Sequence, residues 1–322
     1  MTEFVDAPTE KRNPRTTEID RLSAIGILRL LNEEDALVSG AVAAVLPELA
    51  KAVEIVATRL RAGGTMHYFG AGTSGRLGAL DAAELPPTFA VPRTLVVAHH
   101  AGGTTALTEA VENVEDDEES GAADAEVLTE ADVAVGIAAS GRTPYVKGAL
   151  VRARELGAAT VLVTANPGAP LAPLADVHIG PDTGAEAIAG STRLKAGTAT
   201  KLVLNSLSTA VMVLLGRTYS NLMVHMLATN EKLRGRSVRI LAEASGAPYE
   251  TCEQTLADAG GDVRVALVAL LAGVGTAEAA EALTSTDGTV RVALAKLADP
   301  AGYAQGDPAS LEQSSLDQSS PR

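Results

Sequence analysis

Along the chain the apolar positions change their spacing, and each change marks a different kind of element. From Ile19 to Leu31, and again from Glu33 to about Arg61, they recur every three or four residues, as on a helix with one buried stripe. The second run ends at Gly63-Gly64, a normal helix stop. Short continuous apolar runs follow at Met66–Ala71, Thr94–Ala98, Val133–Ala139, Thr160–Ala165 and Val177–Gly180, with helical patterns such as Pro144–Leu156 between most of them. A strand apolar on both sides of its pleat is covered on both faces. The alternation therefore predicts a doubly wound parallel sheet, an α/β domain over residues 50–220 that ends in a long helix, Arg193–Leu215.

After Asn221 no strand pattern returns. Residues 237–299 read as short helices with Gly breaks, and they hold a near-repeat: Gly261-Asp262-Val263-Arg264-Val265-Ala266-Leu267 against Gly288-Thr289-Val290-Arg291-Val292-Ala293-Leu294. Each copy puts Gly ahead of a helix start, and two copies are too few for a solenoid. The expected organisation is an N-terminal arm and helices (1–49), the α/β domain (50–220), a small helical domain (221–299) and a disordered polar tail (300–322).

Composition narrows this picture. With 46% hydrophobic residues, 2% aromatics and no Trp, the core must be built from Ala, Val, Leu and Ile. A formal net charge of −14 argues against a general attraction to nucleic acid or an anionic membrane. It does not exclude an anionic small molecule, because a nest of backbone N–H groups overrides the global field locally. Cys252 is the only cysteine, so an intramolecular disulfide and a Cys-based zinc site are out, and it reads as a small buried residue. The N-terminus carries no apolar signal core and no apolar run is long enough to span a bilayer, which together predict a cytoplasmic protein.

Two loops at strand ends carry the chemistry. Gly70-Ala71-Gly72-Thr73-Ser74-Gly75-Arg76 follows the first strand and opens a helix. It has G-x-G-x-x-G spacing, but the next strand ends in Ala98-His99-His100-Ala101, without the acid that would bind a dinucleotide ribose, and the Lys of a P-loop is missing. What the loop offers is a pair of hydroxyls, Thr73 and Ser74, beside flexible backbone at a helix N-terminus, which suits one phosphate monoester. Ser140-Gly141-Arg142-Thr143-Pro144 repeats the arrangement after a later strand, with Pro144 where a first helical turn accepts proline. A third candidate, Gly190-Ser191-Thr192-Arg193-Leu194-Lys195, starts the long helix, and its basic residues could meet a substrate carboxylate.

Among the acids, Glu84 lies in Asp81-Ala82-Ala83-Glu84-Leu85-Pro86-Pro87, where a helix running into Pro-Pro is expected to stop and place Glu84 at a rigid corner. Glu115 sits in a charge run, Glu112 to Glu119, and spacing does not single it out from its neighbours. Glu186 precedes the third loop. The five histidines give no metal signature; His99 and His100 point to opposite faces of a strand, and His67 and His178 read as packed or edge residues.

These blocks together resemble the N-acetylmuramic acid 6-phosphate etherase family: the loop at 70–78, Glu84-Leu85-Pro86-Pro87-Thr88, Ala139-Ser140-Gly141-Arg142-Thr143-Pro144-Tyr145, residues 189–199, Asn221-Leu222-Met223-Val224, Thr229-Asn230-Glu231-Lys232, Thr9 to Arg15, and Leu30 to Asp35. The likeness runs from about residue 8 to 299. It departs from the pattern at Ala83, at His99-His100 and at His225-Met226, none of which replaces a catalytic glutamate. The resemblance implies a sugar isomerase (SIS) domain, a homodimer, a C-terminal domain like a ubiquitin-associated fold, and a role in recycling cell-wall sugars. It implies cleavage of the D-lactyl ether at C3 of the sugar, with Glu84 as acid toward the leaving oxygen and Glu115 as base. The substrate-binding residues would be Gly72, Thr73, Ser74, Ser140, Gly141, Arg142, Thr143, Ser191, Thr192 and Lys195.

The chemistry is consistent with those roles. Opening the sugar ring makes C1 an aldehyde, which acidifies the C2 proton; a carboxylate removes it, a protonated carboxyl helps lactate leave, and water adds to the unsaturated aldehyde. One glutamate must be charged and the other neutral, so their surroundings are expected to split their pKa values. The reaction needs no metal or redox cofactor. Two other readings stay open: a non-catalytic sugar-phosphate sensor, which needs neither glutamate, and an aldose–ketose isomerase using Glu186.

Overall fold

The structure, a computed structural model, describes residues 7–109, 111, 113–225 and 231–300. Five parallel strands, β1 (Met66–Gly70), β2 (Val96–His100), β3 (Val133–Ile137), β4 (Ala159–Val163) and β5 (Val177–Ile179), lie in the order β2-β1-β3-β4-β5. Every expected strand is present. β2 starts later than its apolar run and takes in His99 and His100, which pair with Phe69 and Gly70 of β1. Backbone pairing with β1, and not side-chain hydrophobicity, sets the end of this strand.

From β1 the chain goes to one side for β2 and to the other for β3. Neighbouring strands β1 and β3 thus lead into loops that diverge, the switch point at which such sheets open a crevice at their carboxyl ends. The face bearing Tyr68 is covered by α4 (Gly72–Phe89), and α8 (Lys195–Leu214) is bonded to α4 through Asp81. A Cβ placed on Gly78 of α4 would stand 3.1 Å from both Tyr68 Cβ and Ile137 Cδ1, so the helix packs directly on the sheet. The opposite face is covered by α7 (Pro144–Glu155), whose Tyr145, Ala149 and Leu150 share a buried cluster with Phe69, Ala134 and Leu162, and α6 (Glu118–Asp124) packs against α7. Pro144 occupies the first turn of α7, as the sequence predicts. A short helix, α5 (Thr105–Thr108), follows β2.

Three expectations need correcting. The run from Glu33 to Arg61 is not one helix: α1 (Ala24–Asp35), α2 (Val38–Ala43) and α3 (Leu46–Arg61) are separate, because Pro47 has no N–H to give a preceding turn and starts α3 afresh. Ile19–Arg21, expected to begin the first helix, is a single 3-10 turn ahead of α1. By length and composition α8 is also apolar enough to cross a membrane, although no run was expected to reach that length; half of its apolar window is buried inside the protein. Its Asn205 and Ser208 donate to Asp81, which is the behaviour of a core helix.

The chain forms two compact units, one of residues up to Leu85 with Pro92–Val211, the other of Pro86–Val91 with Met212 onward. In the second, α9 (Glu231–Ser245), α10 (Tyr249–Asp258), α11 (Val263–Ala272), α12 (Thr276–Thr284) and α13 (Val290–Ala298) enclose Leu241, Cys252, Leu267 and Val290. Cys252 is buried, as expected. The two Gly-led repeats start α11 and α13 at the same place; Asp262 caps the first by accepting from the N–H groups of Arg264 and Val265, and Thr289 makes no such bond in the second. The first six residues of the arm, Met226, Thr229-Asn230 and the tail from residue 301 lie outside the described residues.

Candidate active site

Gly70 ends β1 and Gly72 begins α4, so Thr73 and Ser74 stand in the first turn of a helix of 18 residues. Backbone N–H groups in that turn have no partner within the helix and point outward, where an anion is favoured. The loop is tight: a Cβ on Gly75 would lie 2.5 Å from Gly70 O and 2.5 Å from His100 Cδ2, so only glycine allows the approach. His100 fills the space beside it, with Nε2 3.2 Å from Gly72 O and Nδ1 2.8 Å from Ala101 O.

The second loop leaves β3, the neighbour of β1. Gly141 has φ +69, and a Cβ there would stand 2.3 Å from Ala169 Cβ. The loop after β4 braces it, since Asn166 Nδ2 donates to Ser140 O (3.0 Å). Thr143 occupies the N-cap of α7 without making a side-chain cap bond. Ser140, Arg142 and Thr143 are half-buried.

The third loop meets the first. A Cβ on Gly197 of α8 would lie 3.3 Å from Thr192 O and 3.7 Å from Thr73 Cγ2. Ser191 and Thr192 are half-buried, but Lys195 is not placed to meet a substrate carboxylate. It is 2% exposed, and its Nζ lies 2.7 Å from Glu34 Oε2. Glu34 also accepts from Asn13 and Arg15; burial alone would raise its carboxyl, but the hydrogen bonds from Lys195 and Arg15 hold it below its ordinary value. Glu186 is fully buried and its two oxygens accept from Lys195 N (3.0 Å) and Ala196 N (2.9 Å). Burial raises its pKa, and it fills the N-terminus of α8 with the protein's own carboxyl.

Of the two glutamates, Glu115 lies beside the first loop. A cavity of about 420 Å³ is lined by Glu115, Gly72, Arg76, His100 and Asn113 among others. Glu84, Ser140 and Thr143 do not line it. Glu84 is exposed on α4, and the expected helix stop after it is absent: α4 continues through Pro86 and Pro87 to Phe89. The prolines remove two N–H donors, but the last turn still closes through Ala90 N to Pro86 O (3.0 Å). A larger groove of about 650 Å³, lined by Arg154, Gly157, Ala159 and Asp176 among others, sits where β4 begins, away from the strand ends at which α/β sheets bind ligands.

Sequence reasoning did not select Arg76 or His100. Arg76 stands inside the first motif, and the two histidines stand out as polar residues at a strand end; either could have been flagged on that ground. The remaining histidines are packed. His67 Nδ1 is 2.9 Å from His99 Nε2, and burial, aided by His99, pushes His67 down to about 4. Among the described residues no group of three or more His, Cys, Asp or Glu is placed to hold a metal.

Comparison with known proteins places this geometry. A family model described as the glucokinase regulatory protein N-terminal SIS domain matches residues 48–154, and one described as the SIS domain matches residues 105–216. An N-acetylmuramic acid 6-phosphate etherase from Thermobifida fusca is 65% identical over 269 residues, 84% of this chain and 88% of that one. One from Pectobacterium atrosepticum is 51% identical over 277 residues, 85% of this chain and 91% of that one. Among solved structures, a phosphoheptose isomerase from Francisella tularensis matches with a TM-score of 0.50 at 19% identity, covering 60% of this chain and 100% of that one. At that identity the likeness concerns the fold.

Proposed function

The chain belongs to the N-acetylmuramic acid 6-phosphate etherase family, and from that premise we propose that it cleaves the D-lactyl ether of N-acetylmuramic acid 6-phosphate at the carboxyl end of β1. The phosphate sits on the first turn of α4, held by Thr73, Ser74 and the Gly72 backbone, with Ser140 to Thr143 closing from the neighbouring strand. The observation that carries this reading is the cavity joining Gly72 to Glu115, because it sets a carboxylate beside the first turn of α4.

The ring-opened sugar presents an aldehyde at C1. Glu115 takes the proton from C2, and the electron pair forms the C2–C3 double bond as the C3–O bond to lactate breaks. Glu84 gives a proton to that oxygen. Water then adds its hydroxyl to C3 and a proton to C2, so that ether and water become N-acetylglucosamine 6-phosphate and D-lactate. General acid–base help of this kind is worth about 10²–10⁴-fold per group.

The isomerase reading loses its base in this structure. Both oxygens of Glu186 hold backbone N–H groups in a fully buried position, which leaves it no access to a sugar carbon. A sensor would keep the loops and need neither glutamate. D-lactate release from the muramic acid phosphate separates these readings: wild type is expected to release it, and Glu84→Gln and Glu115→Gln are each expected to lose about 10²–10⁴-fold. Release that survives both substitutions overturns the assignment.

The same reading makes the enzyme a cytoplasmic homodimer acting on recycled cell-wall sugar. Support for the second copy comes from α1, where Ile25 is 56% and Leu28 61% exposed, with Leu22 and Leu37 exposed nearby. Large apolar side chains exposed three residues apart on one helix normally have a cover. Leu28→Glu is expected to sediment as a monomer where wild type sediments as a dimer; a wild-type monomer refutes the pairing.

A further inference from the structure

Glu115 stands on a short turn that packs against α7, and the chain leading into that turn must be held in register with the first loop. α5 is a single helical turn, too short to persist alone, and the turn carrying Glu115 is three residues of 3-10 helix, Val114–Asp116. The guanidinium of Arg76 reaches both problems at once. It projects from the start of α4, one residue after the phosphate loop closes at Gly75, and its Nε donates to Leu107 O (3.0 Å). Its Nη2 donates to Ala106 O (2.9 Å) and to Glu109 O (3.0 Å). These carbonyls close α5, and carbonyls at a helix end have no partner within the helix. Further along, Val114 is seated against Gly102, where a Cβ would stand 3.2 Å from Val114 Cγ1, leaving Glu115 as the next residue, exposed and on the cavity wall.

We propose that Arg76 is a positioning residue that locks the 105–109 segment to the phosphate loop and thereby sets where Glu115 stands over the bound sugar. The proposal rests on the etherase reading for its kinetic consequence but not for the clamp itself. The planar fork of arginine is what spans three carbonyl oxygens; a lysine ammonium on a flexible stem cannot reproduce it. The competing role is direct: Arg76 lines the cavity and could grip an anionic group of the substrate.

Two measurements on the full-length protein separate these. In amide hydrogen exchange of the ligand-free enzyme, Arg76→Ala and Arg76→Lys are expected to speed exchange across residues 105–116 while β1, β3 and α8 keep their protection. In the lactate assay, both variants are expected to lose about 10²-fold in kcat, the scale of a roughly 1 Å misplacement, with KM and inhibition by N-acetylglucosamine 6-phosphate little changed. Guanidinium ion added to Arg76→Ala is expected to recover part of the lost kcat. A large rise in KM with unchanged exchange assigns Arg76 to the substrate and overturns the clamp, as does unchanged exchange with unchanged kcat. If wild type releases no lactate, the etherase reading fails, and the exchange experiment still decides whether the clamp exists. Should Arg76→Ala lose its fold, the lysine variant carries both measurements.

Discussion

Glu84 rides on a helix held from beneath by a buried polar network, whereas Glu115 stands on a short turn that packs against α7 and follows a segment tied to α4 by a single arginine. Three residues before Glu84, Asp81 is 3% exposed and accepts from Tyr68 OH (2.8 Å) on β1 and from Asn205 Nδ2 (2.7 Å) and Ser208 Oγ (3.1 Å) on α8. That network joins β1, α4 and α8 under the acid. Glu115 rests on apolar packing instead: its turn lies against α7, Val114 packs on the buried cluster of Phe69 and Tyr145, and the segment before the turn is tied to α4 by the Arg76 bonds. The difference suits the proposed division of labour. A proton donor to a leaving group can act from a fixed post, while the base must meet C2 after the sugar has opened and settled on the loop. It also predicts two kinds of failure: disturbing the Glu84 side damages the whole domain, and disturbing the Glu115 side damages turnover with little effect on stability.

The largest effect is expected at Asp81. Burial raises its carboxyl above the ordinary value, opposed by the bonds from Tyr68, Asn205 and Ser208, and burial raises the Tyr68 hydroxyl as well, with Asp81 adding to it. Asp81→Leu removes the acceptor and leaves the buried hydroxyls of Tyr68 and Ser208 and the half-buried amide of Asn205 unmet, at about 1–3 kcal/mol for each buried group left bare. We expect a loss of about 3 kcal/mol or more in unfolding free energy, read by chemical denaturation. Asp81→Asn keeps an oxygen toward Asn205 and Ser208 and turns its NH₂ to the Tyr68 oxygen, so it should cost less than half as much. Equal losses in the two variants would mean that the network matters for its charge and not for its hydrogen bonds.

The contrast also explains what could be read from the chain beforehand. The sheet and its covering helices were legible because short apolar runs and three-to-four spacing are local signals. The two hydroxyl loops were legible because Gly, Ser and Thr cluster where strands end. What failed was whatever depends on partners distant in sequence. Lys195 looked available to a substrate because its ion pair with Glu34 spans 161 residues. Arg76 looked like the end of a motif because its three acceptors lie about thirty residues on, with separations of 30, 31 and 33. Pro86-Pro87 predicts a helix stop, but proline only removes donors, and the helix needs only one more closed turn to reach Phe89. Glu115 was indistinguishable within its charge run because its placement comes from Val114 and Gly102, neither of which is charged.

The smallest effect, and the most local, is expected at Asn113. It has φ 65 and ψ 0, the left-handed conformation, two residues before Glu115, and it accepts from Asp116 N through its own carbonyl (3.4 Å). Asn tolerates that conformation better than other residues with a Cβ, and alanine there costs roughly 1 kcal/mol. If the backbone shape at 113 aims the base, Asn113→Ala should lose about fivefold in kcat, the equivalent of 1 kcal/mol, with little change in denaturation midpoint. Asn113→Gly should then keep most of the activity, since glycine adopts the same φ freely. The side chain of Asn113 also lines the cavity, which gives the experiment a second possible outcome. A glycine variant as slow as the alanine one shows that the amide itself is needed beside Glu115. In that case a polar contact from Asn113 helps to hold the base in place, and the comparison between the two glutamates narrows to how many polar contacts each one has.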